Sequence, residues 1–303
     1  MIRTWPAAET DDGARVDVVL ARLAELSRAA CVALIDDDRV TINGKVVAKS
    51  AKVVFGDIIE VDIPDPDLGT PEPTVELPIV HEDEHLVVID KPAGVAAHSS
   101  AGWSGPTVTG SLKAMGVVLT NYGPAERHGI VHRLDVGTSG LMVVTKSDPA
   151  YVSLKNQFHD REVTKLYHTL IQGRMDPSSG TIDAPIDRHP SSSYRFAVMQ
   201  SGRPSITHYD TLEMMAYASL LEVHLETGRT HQIRVHMSAL RHPCCGDLTY
   251  GADPKLAAKL ELDRQWLHSV KLGFTHPGTY EFVEFNSDYA PELRNALDRA
   301  RSL

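Results

Sequence analysis

HGIVHRLDVGTSGLMVVTK, residues 128–146, passes from a loop rich in Gly, Thr, Ser and charge straight into the apolar run Leu141 to Val144. A short continuous apolar run bounded by turn residues reads as a buried strand. Arg133 and Asp135 then stand at the mouth of a rigid sheet, a placement that suits catalytic groups. On local pattern alone, Asp135 also suits an ordinary turn with Gly137.

Working outward, Leu86 to Ile89 is a second apolar run of the same kind. Asp148-Pro149 starts a helix with Tyr151, Leu154 and Phe158 on one face. Val163 to Leu170 alternates, which places Lys165 and Tyr167 on one face of a strand. Leu221, Val223 and Leu225 alternate against Glu222, His224 and Glu226. Thr230 is then expected to cap a helix with Ile233, Met237 and Leu240 buried and His231, Arg234, Ser238 and Arg241 on the adjacent face. The implied fold class is α+β, with antiparallel sheet dominant and flanking helices.

PDPDLGTPEPTVELP, from Pro64 to Pro78, carries five prolines and no periodicity, and reads as a stiff linker. It predicts a module over 1–65, a linker over 66–78 and a larger domain over 79–303. Within the module, Val16, Val19, Leu20 and Leu23 have helical spacing, Ser27 suits the cap of a second helix, and VTINGKVV turns at Asn43-Gly44. A last strand runs from Asp57 to Ile63. Two helices and a small hairpin make a compact α+β unit.

Composition bounds the function. The apolar share is 42% and the charged share 23%, as in ordinary soluble proteins. No apolar run approaches the roughly 20 residues of a membrane span, and the N-terminus lacks the apolar core of a signal peptide. Three cysteines make no disulfide framework, so a cytoplasmic location is expected. The net charge of −10 counts against a nucleic-acid partner, yet screening makes local charge more important than the total. TGRTHQIRVHMSALR, residues 227–241, has three arginines, two histidines and no acid.

HRLDVGTSGLMVVTK closely resembles the catalytic motif of the RluA/RluD-type pseudouridine synthases, H-R-L-D-x-x-T-S-G-L. VHEDEHLVVIDKPAGVAAH (80–98), TKLYHTLIQG (164–173), LETGRTHQIRVH (225–236), CGDLTYG (245–251) and LHSVKLGFTHPGTYEFVEF (267–285) resemble that family's other motifs in the same order. The resemblance covers Val80 to the C-terminus. It implies an isomerase of RNA uridines needing no metal or cofactor. Asp135 matches the family's aspartate, which either attacks covalently or abstracts a sugar proton. Tyr167 matches the tyrosine that stacks on the flipped uracil, and Arg234 the arginine that partners the aspartate in a closed site. Arg133, with His132 beside it, matches the arginine that fills the gap left in the base stack. Lys165 either supports the site or touches phosphate. Arg229 serves phosphate contact or turn support, and Thr230 and His231 join it as RNA-facing candidates.

Residues Arg15 to Ile63 resemble the αL RNA-binding motif, first known in a small-subunit ribosomal protein. The departure is in charge: Ala29, Ala30, Cys31 and Ala33 stand where that motif is basic, leaving Arg28, Arg39, Lys45, Lys49 and Lys52. A metal site at His231, His236, Cys244 and Cys245 lacks the usual ligand spacing, and no Gly-x-Ser-x-Gly elbow supports a triad at Ser139. The expected partner is RNA, ribosomal RNA of the large subunit first and transfer RNA second, with no membrane and no obligate protein partner. Two other classes compete: an RNA-binding ribosome-assembly factor with dispensable catalysis, and a glycoside or nucleoside hydrolase. The hydrolase needs a second carboxylate that no motif supplies.

Overall fold

A computed structural model describes residues 2–24, 26–63, 73–100, 102–124, 127–192 and 194–303. Residues 64–72, which include the first part of the expected linker, lie outside the described residues, and 73–78 has no regular structure. The chain divides into two compact units, one of 1–72 with 122–128 and one of 73–121 with 129–303.

The first unit is a four-stranded sheet, ordered β1 (Ile2–Pro6), β4 (Ile58–Asp62), β2 (Val40–Ile42), β3 (Lys45–Val46), with helices α1 (Val16–Leu23) and α2 (Arg28–Asp36). The Ser27 hydroxyl accepts from Ala30 N–H at 3.2 Å, the expected cap. Asn43 and Gly44 both take positive φ, 52° and 76°, as a two-residue hairpin turn requires. Val16, Val19 and Leu20 pack on Cys31, Leu34 and Ile35 and on Ile59 and Val61 of the sheet. β1 was not legible, because Ile2 is largely exposed and its strand shows no clear alternation.

The second unit is built on a nine-stranded sheet. In order these are β5 (Ile79–Glu82), β6 (Leu86–Lys91), β7 (Ser139–Thr145), β14 (Leu267–Thr275), β8 (Thr164–Gln172), β13 (Ala218–Leu225), β12 (Ile206–Met214) and β9 (Ser179–Asp183). β15 (Phe282–Asn286) pairs with β14. A separate two-stranded hairpin joins β10 (Ile186–Arg188) and β11 (Phe196–Val198). Among the described strands, β7 and β14 alone run parallel, joined at His268↔Ser139 and Ser269↔Gly140.

Both faces of β6 and β7 are covered, which explains their continuous apolar runs. Leu86, Val88, Leu141 and Val143 face Leu154 and Phe158 of α4 (Asp148–Asp160). Val87, Ile89, Met142 and Val144 share the opposite core with Leu112 of α3 (Val108–Ala114) and Ile233 and Met237 of α5 (Gln232–Ala239). A third cluster packs Trp266 on Leu293 and Leu297 of α7 (Pro291–Ser302), with Leu256 of α6 (Pro254–Lys259) beside it.

The start of α5 corrects the sequence reading. His231, in left-handed conformation at φ 57°, precedes the helix, and no Thr230 side-chain cap is made. The Gln232 side chain instead ties the preceding loop to the sheet: its Oε1 accepts from Arg229 N–H at 3.0 Å and Thr227 Oγ1 at 2.8 Å, while its Nε2 donates to Ile206 O and Thr207 Oγ1. Leu240, expected in the buried stripe, lies just past the helix and is exposed. Among the described residues no helix is long and apolar enough to cross a membrane.

Candidate active site

Asp135 lies on the loop entering β7, and its backbone does make the turn, with Thr138 N–H donating to Asp135 O at 3.0 Å. The side chain is left for other work. The loop is bound from three sides: Gly94 N–H donates to Val136 O at 2.8 Å, Lys91 Nζ reaches the same oxygen at 3.4 Å, and Arg264 Nη1 donates to Gly137 O at 2.9 Å. Lys91 is wholly buried, and its ammonium also donates to Pro92 O and Val95 O at 2.9 and 2.8 Å. Burial pushes this lysine down to about 7, against the pull of the Asp135 charge.

A cleft of about 90 Å³ opens beside Asp135, lined among others by Arg133, Tyr167, Arg229, Thr230, His231 and Arg234. Six residues scattered over more than a hundred positions of sequence thus meet Asp135 in one place. Arg234 Nη1 lies 3.3 Å from Asp135 Oδ2, and His231 Nε2 lies 3.9 Å from Oδ1. Arg234 simultaneously grips Asp247, with Nε–Oδ2 at 2.7 Å and Nη2–Oδ1 at 2.9 Å. Burial would lower the Arg234 pKa, but the bonds to Asp247 and both carboxylate charges raise it above the ordinary value. Its guanidinium also sits 4.9 Å from the centroid of the Tyr250 ring.

Tyr167 reaches the cleft from β8 and is buried. Burial, reinforced by the Asp135 carboxylate, pushes its phenol above the ordinary value, so the hydroxyl keeps its proton at neutral pH. Arg133 is exposed at the rim. Arg229 donates through Nε to Pro204 O at 3.2 Å.

Three expected residues stand apart from the cleft lining. His132 accepts from Val143 N–H at 3.0 Å and stacks on Phe158, with centroids 4.6 Å apart. Burial, with Lys165 nearby, pushes it down to about 3, so it is a neutral acceptor within the fold. Lys165 lies buried with Nζ 5.9 Å from the Phe158 centroid, its pKa lowered by burial and by Arg161. Arg28 belongs to the first unit and is paired with Asp17 at 2.9 Å.

Sequence reasoning missed Asp247, Tyr250, Arg264 and Lys91 as parts of the site. The first two stand in the quoted CGDLTYG, but their spatial partners were not visible. Outside the cleft, His81, Asp83 and His276 bring potential ligand atoms within 4.8 Å of one another. His276 Nδ1 accepts from Gly278 and Thr279 N–H at 3.2 and 3.1 Å, so its proton is on Nε2, donated to Asp83 at 2.8 Å. A metal-ligating imidazole has the opposite arrangement. Of the residues weighed for a metal, His236 bonds Thr207 Oγ1 and Ala184 O, and Cys244 is a buried thiol pushed up to about 12.

Residues 85–239 match the model of the RNA pseudouridylate synthase family, and residues 14–59 match the S4 domain. The chain is 54% identical to an uncharacterized RNA pseudouridine synthase of Mycobacterium bovis, covering 97% of each chain. It is 40% identical to the ribosomal large subunit pseudouridine synthase D of Zymomonas mobilis, over 93% of this chain and 92% of that one. Among solved structures, human RNA pseudouridylate synthase domain containing 1 is similar with a TM-score of 0.59 and 29% identity, over 75% of this chain and 89% of that one. The chain belongs to the RNA pseudouridylate synthase family, and it is an isomerase that converts uridine in RNA to pseudouridine.

Proposed function

We propose that the enzyme modifies large-subunit ribosomal RNA and that Asp135, Tyr167 and Arg234 carry the reaction. The observation that carries the site assignment is the carboxylate of Asp135 held in a cleft by Arg234 with Tyr167 on its wall. The ribosomal target is supported by the relative named as a large-subunit synthase, which is similar over nearly the full chain.

The isomerisation breaks the bond from C1′ to N1 of uracil, turns the base, forms the bond from C1′ to C5, and moves a proton from C5 to N1. Asp135 serves either as nucleophile at C1′ or as base at C2′, and in both roles it must reach the sugar as a carboxylate. Arg234 supplies a fixed positive charge at 3.3 Å without taking up a proton. Tyr167 offers a ring face and a protonated hydroxyl, which suits stacking on the turning base better than proton abstraction. The target must leave its stack to reach so narrow a cleft, and Arg133 at the rim is the cation placed to occupy the gap.

The test is chemical mapping of pseudouridine in total RNA from cells lacking the protein, complemented with wild type or Asp135→Asn. Sites in large-subunit ribosomal RNA should vanish and return with wild type alone. Loss confined to transfer RNA would overturn the target, and restoration by Asp135→Asn would overturn the role of Asp135.

A further inference from the structure

Both groups that face the Asp135 carboxylate are themselves held by one residue. Tyr250 is buried, with 3% of its surface exposed, and its hydroxyl lies 2.7 Å from His231 Nδ1. Its ring face carries the Arg234 guanidinium at 4.9 Å. Its own backbone is fixed to α5, where the Ser238 hydroxyl donates to Tyr250 O at 2.8 Å.

The proton positions follow from the bonding pattern. Phe196 N–H, on the β10–β11 hairpin, donates to the Tyr250 oxygen at 3.0 Å. Among the described residues, His231 Nδ1 is the one acceptor in reach of that buried hydroxyl. A buried hydroxyl donates where an acceptor is available. Tyr250 therefore gives its proton to Nδ1, and the imidazole carries its own proton on Nε2. Nε2 is the atom that faces Asp135 Oδ1 at 3.9 Å, while Arg234 Nη1 faces Oδ2 at 3.3 Å. With the other tautomer, a lone pair would confront the carboxylate.

We propose that Tyr250 is a positioning residue for the isomerase reaction, setting the His231 tautomer with its hydroxyl and seating Arg234 with its ring. The two oxygens of Asp135 then each face an N–H. Tyr250 does not itself line the cleft, so it acts through His231 and Arg234, which do. The inference rests on the reading of Asp135 as the reacting carboxylate.

Tyr250→Phe keeps the ring and removes the proton. Single-turnover and steady-state kinetics on a transcript that the wild-type enzyme modifies should show kcat reduced about tenfold with KM within about twofold, the loss of one directed hydrogen bond in the transition state. In a His231→Leu background the same change should cost nothing further, because the relay is already cut. His231→Gln, which keeps an N–H donor, should retain more activity than His231→Leu. Histidine-selective nitrogen NMR of the full-length wild-type protein should find the His231 proton on Nε2, and Tyr250→Phe should mix the tautomers. Undiminished kcat in Tyr250→Phe, equal losses in both backgrounds, or a wild-type proton on Nδ1 would each overturn the relay. Asp135→Asn, assayed in parallel, separates the two levels: an active Asp135→Asn removes the carboxylate reading itself, whereas an inactive one beside a fully active Tyr250→Phe removes only the relay.

Discussion

Arg234 answers to two carboxylates at once, and the two depend on it differently. Asp247 is 2% exposed and has both oxygens on the guanidinium, so Arg234→Leu strands a buried charge. Removing one partner of such a pair costs about 3–5 kcal/mol, and urea unfolding of Arg234→Leu should show a loss of that size together with loss of turnover. Arg234→Lys keeps the charge and forfeits the two-pronged grip, so it should fall between the wild type and Arg234→Leu in both assays. Lys91 offers a pH test. Its pKa is near 7 in the fold against an ordinary 10.5, so the unfolded chain binds the extra proton between those values. Its contribution therefore makes stability rise with pH across that window, at a limiting slope of about 1.4 kcal/mol per pH unit. Lys91→Met should flatten the rise measured by urea unfolding from pH 7 to 10, and an unchanged slope would remove Lys91 as its source. At this scale, the meeting of Asp135, Tyr167 and Arg234 in one cleft was legible because each stands in a long motif of fixed spacing. Tyr250 and Asp247 were not, because what they do depends on residues more than ten positions away that only the fold brings near.

Elements were legible where periodicity matched burial. β6 and β7 read as buried runs because both faces are covered, and the hairpin at Asn43-Gly44 read from its turn. The start of α5 did not, since a glutamine reaching back to bind the preceding loop has no local signature. α7 went unread although Leu293, Ala296, Leu297 and Ala300 stand at helical spacing behind Pro291; what the sequence did not show is their partner, Trp266. The junction of β7 with β14 is where an element-scale substitution should tell most. A Cβ on Gly140, at φ 108°, would lie 2.3 Å from Ser269 O and 2.6 Å from Ser269 N. The close approach of two backbones leaves nothing flexible to yield. Gly140→Ala should cost about 3 kcal/mol or more in stability and should depress kcat, because β7 carries the Asp135 loop. Calorimetry with a parallel activity assay decides it, and a variant with native melting temperature and native kcat would refute the steric reading.

For the whole molecule, net charge was a poor guide to partner. The chain carries −10 overall, yet Arg133, Arg229, His231 and Arg234 converge on one cleft. In the first unit, eleven acidic residues stand against eight basic ones between Ile2 and Ile63. Arg15 and Arg28 are bound to Asp17, Arg22 to Asp11, Arg39 to Asp62 and Lys49 to Asp36. Phosphate contacts report themselves in the salt dependence of binding. Deleting residues 1–72 should therefore lower RNA affinity or site choice while changing the slope of log K against log salt by less than about one; a larger fall would show that these arginines leave their partners for phosphate. The remaining unit has its own cores and should melt cooperatively. Its sheet has one further consequence. Asp135 precedes β7, Tyr167 rides on β8, and Arg234 follows β13, so the groups proposed to react come from opposite sides of the parallel joint between β7 and β14. Two register pairs and the Arg264 bracket from Gly137 O to Ser139 Oγ span that joint. Catalysis here is an alignment tolerance between two half-sheets, and on warming the enzyme should fall silent before it melts.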